Sequence, residues 1–101
     1  MKVLERHLRK IHPGKWGEVE GLDNKYDAVE RRYGFPPKRY YRSFIGTHDI
    51  DTSIMEREWE SLATMEAAQE KALADPEWQA LTPEFEAIME SLQIELYWVQ
   101  S

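Results

Sequence analysis

The chain has 101 residues, of which 42% are apolar and 32% charged, with a net charge of −6 and no cysteine. A single domain of this size buries roughly 65% of its unfolded surface, which allows a modest core; the mix of apolar and charged residues excludes disorder, and no apolar run is long enough to span a membrane. The acid excess argues against nucleic acid as a partner, because that affinity comes from Lys and Arg on phosphates, and the missing thiols exclude disulfides, a thiolate nucleophile and Cys-based metal sites.

Turn signals divide residues 1–101 into the pieces of one domain. Residues 2–10 read as a charged strand anchored by Val3, Leu4 and Leu8, ended by His12-Pro13-Gly14. Residues 15–33 predict a helix: Trp16, Val19, Leu22, Tyr26, Val29 and Tyr33 recur on one face, with the acids Asp23 and Glu30 placed elsewhere. Gly34 stops that helix, and Pro36-Pro37 forbid its continuation. Gly17 and Gly21 inside it each cost about 1 kcal/mol relative to Ala, which predicts a close backbone approach to the sheet or to a partner.

Residues 38–46 read as an aromatic second strand, with Tyr40/Phe44 on one face and Tyr41/Ile45 on the other. Residues 46–51 connect it to a third strand, 52–59, where Ile54/Glu56/Glu58 oppose Met55/Arg57/Trp59. Ser61 is a plausible cap for a second helix over 62–74, and Asp75-Pro76 and Thr82-Pro83 each start a further helical turn, the last over 84–92. Residues 93–99 close the chain as a strand with Ile94/Leu96/Trp98 on one face and Glu95/Tyr97/Val99 on the other. The order is β-α-β-β-α-β, an α+β ferredoxin-like fold with an antiparallel sheet.

Such a sheet has helices on one face only, and a wet second face reads as polar. Strands two and four carry large apolar or aromatic residues on both faces. A second copy is the simplest cover, so the expected partner is a homodimer through the sheet faces.

Pro13-Gly14-Lys15, Arg32-Tyr33-Gly34-Phe35-Pro36-Pro37, Glu56-Arg57-Glu58-Trp59-Glu60-Ser61-Leu62, Asp75-Pro76-Glu77-Trp78 and Glu95-Leu96-Tyr97, in this order and spacing, resemble the NIPSNAP family over nearly the whole chain. The resemblance implies the dimeric α/β barrel, two ferredoxin-like units with their sheets face to face. It also implies the company of antibiotic-biosynthesis-type monooxygenases, haem-degrading enzymes and lactone isomerases. The family is described with a strand-one Arg followed by an aromatic; here Arg6 matches and His7 takes the aromatic position.

The residues that can carry chemistry are Arg6 and His7 on strand one, Arg42 with Tyr40 or Tyr41 on strand two, and Glu56 and Glu58 on strand three. His7 beside a carboxylate such as Glu58 is a reasonable general base, and an Arg can hold an enolate or carboxylate. The same residues also read as cross-strand charge pairs, and the strand register decides which share a face. Arg6, Tyr41, Arg42, Trp59 and Tyr97 are the expected ligand contacts; Trp16, Tyr26, Tyr41, Trp59 and Tyr97 can line a pocket between helices and sheet or serve as core. His12, His48, Asp49 and Asp51 lack zinc-site spacing and read as turn chemistry, so no metal is expected. There is no phosphate loop and no nucleophile elbow, and no cofactor is expected.

Three functions fit these residues: a binder of a small organic ligand in a cleft between sheet and helices; a cofactor-independent monooxygenase or isomerase acting on a small aromatic or lactone; and an interaction module without a ligand. A cytoplasmic location fits the cysteine-free composition and the charged start of the chain, which has no signal-peptide apolar region.

Overall fold

The computed structural model describes residues 1–100. Four strands, β1 (Val3–Ile11), β2 (Arg39–Arg42), β3 (Thr52–Trp59) and β4 (Met89–Trp98), form one antiparallel sheet in the order β2-β3-β1-β4. Helices α1 (Trp16–Arg32), α2 (Leu62–Leu73), α3 (Pro76–Gln79) and α4 (Thr82–Ile88) lie against one face of it. The result is a slab of 36 × 36 × 17 Å, the thickness of one sheet and one helix layer. This is the expected ferredoxin-like βαββαβ arrangement.

Local chemistry sets the element ends. The N–H of Phe35 bonds to the Glu30 carbonyl at 3.2 Å and that of Gly34 to Arg31 at 3.4 Å, closing α1 with Gly34 at φ +75°. That left-handed position favours glycine and turns Phe35 back towards the sheet. Ser61 caps α2, its Oγ accepting from the Thr64 N–H at 3.1 Å, and Asp75 caps α3 by accepting from Glu77 at 2.8 Å, with Pro76 next.

Three expectations are corrected. Thr82 does not cap α4; it is the first helical residue, and no side chain caps that helix. The helical stretch drawn to residue 92 ends at Ile88, and β4 starts at Met89, because Ile11 pairs with Met89 and Arg9 with Leu92. Ladder bonds to β1 override the local helical spacing of Met89 and Leu92. Strand two stops at Arg42: the Ser43 N–H bonds to the Thr52 carbonyl and the chain then leaves the sheet, so Phe44 and Ile45 sit in an exposed loop rather than on the sheet faces.

The core is split in two. Ile11, Val19, Leu22, Leu81, Ile88 and Met89 pack at one end of β1; Val3, Trp59, Met65 and Ala68 pack at the other, with Phe35 and Leu62 against them. Between these clusters the helix-facing row of β1 is Glu5, His7 and Arg9. A Cβ built on Gly17 or Gly21 would meet nothing within 4 Å, so the expected close approach to the sheet is absent at both. Among the described residues no helix is long and apolar enough to cross a membrane.

Candidate functional site

The gap between the two apolar clusters is a cavity of about 320 Å³ between helices and sheet. Strand alternation puts Glu5, His7 and Arg9 of β1 on its floor, beside Met55 and Arg57 of β3. From α1, residues 19, 22, 23, 26, 29 and 30 share one helical stripe, so Asp23 and Glu30 face inward with Leu22 and Tyr26 and are buried. This corrects their placement on the outer part of the helix. Phe35 and Trp78 complete an aromatic wall: the Trp78 ring meets Tyr26 edge-on at 4.9 Å and lies 6.1 Å from Phe35.

Glu5 is 1% exposed and accepts from four donors. Arg57 Nε and Nη2 donate at 2.8 and 3.1 Å, Trp59 Nε1 donates at 2.8 Å, and His7 Nε2 bonds the same carboxylate. Burial alone pushes the carboxyl up. The hydrogen bonds from His7 and Arg57, the Arg57 charge and the Trp59 N–H outweigh it and bring its pKa down to about 2. Glu5 is therefore an ion at every ordinary pH and has no lone pair left for a ligand. Arg57 also lies 3.0 Å from Glu30 through Nη1, an ion pair whose N–H is not aimed at the oxygen, and its guanidinium stacks on Phe35 at 4.7 Å.

The remaining charges are paired as well. Arg9 grips Asp23 through both Nη atoms, at 2.6 and 3.2 Å, and donates to Ser53 Oγ at 2.7 Å. Lys38 Nζ sits 2.9 Å from Glu30 and 2.7 Å from Asp27. Burial pulls the Lys38 amine down, but Glu30 and Asp27 more than compensate and hold it above the usual lysine value. His7 is the exception: its Nε2 is held by the Glu5 carboxylate, and in the neutral ring with Nε2–H donating there, Nδ1 carries the lone pair. The arrangement can hold an apolar body against Tyr26, Phe35 and Trp78 and offer one imidazole nitrogen to a hydroxyl or an acidic C–H.

The structure separates the residues named from sequence. His7 lines the cavity, and Trp59, 1% exposed, lies behind it as a donor to Glu5. Arg6, Tyr41, Glu58 and Tyr97 stand on the opposite, helix-free face of the sheet. There Arg6 Nε bonds Glu56 at 2.6 Å and its guanidinium covers the Tyr97 ring at 5.1 Å. Glu58 pairs with Lys2 at 3.6 Å, and no shared face joins it to His7. Arg42 lies at the β2 edge, stacked on Trp16 at 4.0 Å and donating to the Ile50 carbonyl at 3.0 Å. Of the aromatic set, only Tyr26 lines the cavity. Glu5, Arg9, Asp23, Glu30, Lys38 and Arg57 were not among the sequence candidates. Their signal was a charge inside an apolar row: Arg57 between Met55 and Trp59, and Asp23 and Glu30 on the α1 stripe. Among the described residues no group of three or more His, Asp or Glu is placed to hold a metal ion.

The fold is that of a single ferredoxin-like unit, shared with several solved structures. A NIPSNAP family protein from Agrobacterium tumefaciens superposes with a TM-score of 0.81 at 22% identity, covering 99% of this chain and 94% of that one. An uncharacterised NIPSNAP domain protein from Burkholderia xenovorans gives 0.80 at 21% identity, covering 100% and 96%. SnoaB, a cofactor-independent oxygenase from Streptomyces nogalater, gives 0.74 at 17% identity, covering 99% and 94%. At these identities the likeness is one of fold. No match was found among curated proteins. The NIPSNAP family profile matches residues 7–99, and the chain belongs to the NIPSNAP family.

Proposed function

We propose that the chain works as a cytoplasmic homodimer that binds a small, uncharged organic molecule in the helix–sheet cavity. The observation that carries this reading is the pairing of the cavity's charges. Glu5 with Arg57, Asp23 with Arg9 and Glu30 with Lys38 are each ion-paired inside the chain, and among the described residues Arg9 Nε and Arg57 Nη1 are left as buried N–H groups without an acceptor. An ionic ligand would have to break a buried pair, at several kcal/mol, whereas a neutral apolar one displaces only water. His7 then supplies one directional contact, beside the N–H groups of Arg9 Nε and Arg57 Nη1. Pairing through the sheet faces is supported by Tyr41 and Tyr97, 48% and 42% exposed on the helix-free side.

Titration calorimetry with matched pairs, a neutral aromatic alcohol against the carboxylate of the same ring, tests the reading. The neutral member is expected to bind at least tenfold more tightly, and His7→Ala is expected to weaken its binding while leaving the preference in place. Tighter binding of the carboxylates overturns it.

The Glu5–His7 pair favours a second reading, an enzyme of the cofactor-independent oxygenase or isomerase kind acting on a small aromatic or lactone. Its first step is removal of a ligand proton by His7 Nδ1, with Glu5 holding the ring and stabilising the imidazolium. SnoaB shares the fold and has that class of activity. Oxygen uptake and product formation in air, over a panel of phenols and small lactones, test it. Turnover that disappears in His7→Ala but survives in Glu58→Ala supports the reading; turnover indifferent to His7 rejects it.

A further inference from the structure

The cavity is open on one side. Its lip is apolar: Leu73, Leu92 and Ile94 line it yet are 61%, 37% and 56% exposed, and the same row of β4 continues through Leu96 and Trp98, at 50% and 58%. These β4 residues point to the helix side of the sheet, but the chain's own helices do not reach over them. At the opposite edge of the sheet the β2–β3 loop carries Phe44 and Ile45, 82% and 86% exposed. Two apolar patches thus lie on the two edges, β4 and β2, with β1 and β3 between them. One chain cannot bring its own loop to its own lip.

From these two patches we infer that a second copy of this chain closes the cavity, its β2–β3 loop laying Phe44 and Ile45 on the Leu92/Ile94 lip. Twofold symmetry satisfies both patches at once, since each chain gives a loop and receives one. Charge selects the same occupant. Of the basic residues in 31–48, Arg32 is held within the chain by Asp75 and Glu77 and Lys38 by Asp27 and Glu30, so the complementarity lies at the strand edges themselves. The β2 edge presents exposed Arg39 and the β4 edge exposed Glu90, so edge β2 of one copy complements edge β4 of the other. Both edges also offer unpaired backbone groups of the kind a second sheet satisfies. Gly46, at φ +148°, keeps the loop in a turn that other residues rarely adopt, just after the two apolar side chains. The ligand site proposed above is then built from two chains, and this step rests on that reading for its purpose but not for its geometry.

The absence of cysteine makes the test direct. Ile45→Cys and Ile94→Cys are introduced together, and the purified full chain is treated with a short bis-maleimide. The expected product is a covalent dimer, with the double variant at least tenfold more crosslinked than either single variant. Both positions are exposed, so the fold tolerates the changes. As a second measurement, native mass spectrometry of Phe44→Ser/Ile45→Ser is expected to show a several-fold weaker dimer than the parent. A dimer that ignores both changes, or a monomeric parent, overturns the inference. Nile red uptake separates the two ideas: a dimer that crosslinks but takes up no Nile red keeps the lid and rejects the ligand reading, whereas dye uptake without the crosslink rejects the lid alone.

Discussion

The two faces of β1 carry similar residues and treat them differently. On the helix side, Glu5 and Arg9 are 1% and 5% exposed and each is gripped by buried partners. On the other side, Arg6 and Lys10 pair with Glu56 and Asp49 while remaining within reach of water. Alternation along a strand assigns the faces, but burial decides what a charge is worth. In the interior, desolvation makes a missing partner expensive; at the surface, water replaces it.

The largest expected effect follows from breaking the inner network. Glu5→Ala leaves Arg57, Trp59 and His7 with donors aimed at nothing, and urea unfolding should show a loss of about 3–5 kcal/mol. Arg6→Ala as the matched outer change, measured at a dilution where single chains dominate, is the control; equal losses for the two would mean that the faces do not differ in the way described.

The second effect is on pH. The Glu5 carboxyl is held at about 2, below its reference value of 4.5. A depressed carboxyl contributes stability that is fully present above the unfolded value and is lost as pH falls through the folded one. The parent should therefore lose about 3 kcal/mol between pH 4.5 and 2 that Glu5→Gln does not lose, read from unfolding midpoints across that range. Parallel pH profiles for the two proteins would rule out Glu5 as the acid-sensitive group.

Two smaller effects concern α1 and α2. Ser61→Ala removes the cap at the Thr64 N–H and should cost about 1 kcal/mol. Gly21→Ala should add about 1 kcal/mol, because a methyl there meets open space and helix propensity alone acts. A thermal melt of each variant reads both signs; a destabilising Gly21→Ala would mean that something outside the chain packs against that face of α1.

Much of this fold was legible in the residues. The element order, the third strand, the Gly34 stop and the Ser61 and Asp75 caps all rest on local chemistry that the structure repeats. What was not legible depended on pairing between distant segments. Met89 and Leu92 have helical spacing, and only their bonds to β1 make them a strand. Phe44 and Ile45 have strand composition, but the ladder ends at Arg42. The site was half legible for the same reason. His7 stood out by type, whereas its partner Glu5 looked like one more acid on a charged strand. The face shared by Glu5, Arg57 and Trp59 appears only once the pairing of Glu5 with Arg57 fixes the register.

Arg6→Ala sharpens the comparison of the two faces furthest. Within one chain the Arg6–Glu56 pair has Arg6 about one-third exposed, and such pairs contribute at most about 1 kcal/mol. In the proposed homodimer a second sheet covers this face and removes the water that screens the pair. The cost of Arg6→Ala should then exceed the single-chain figure where the dimer is populated and fall back to it on dilution. Unfolding followed over a dilution series checks this. A cost that stays small and independent of concentration would leave the outer face of β1 wet, and the sheet faces would not be where two copies meet.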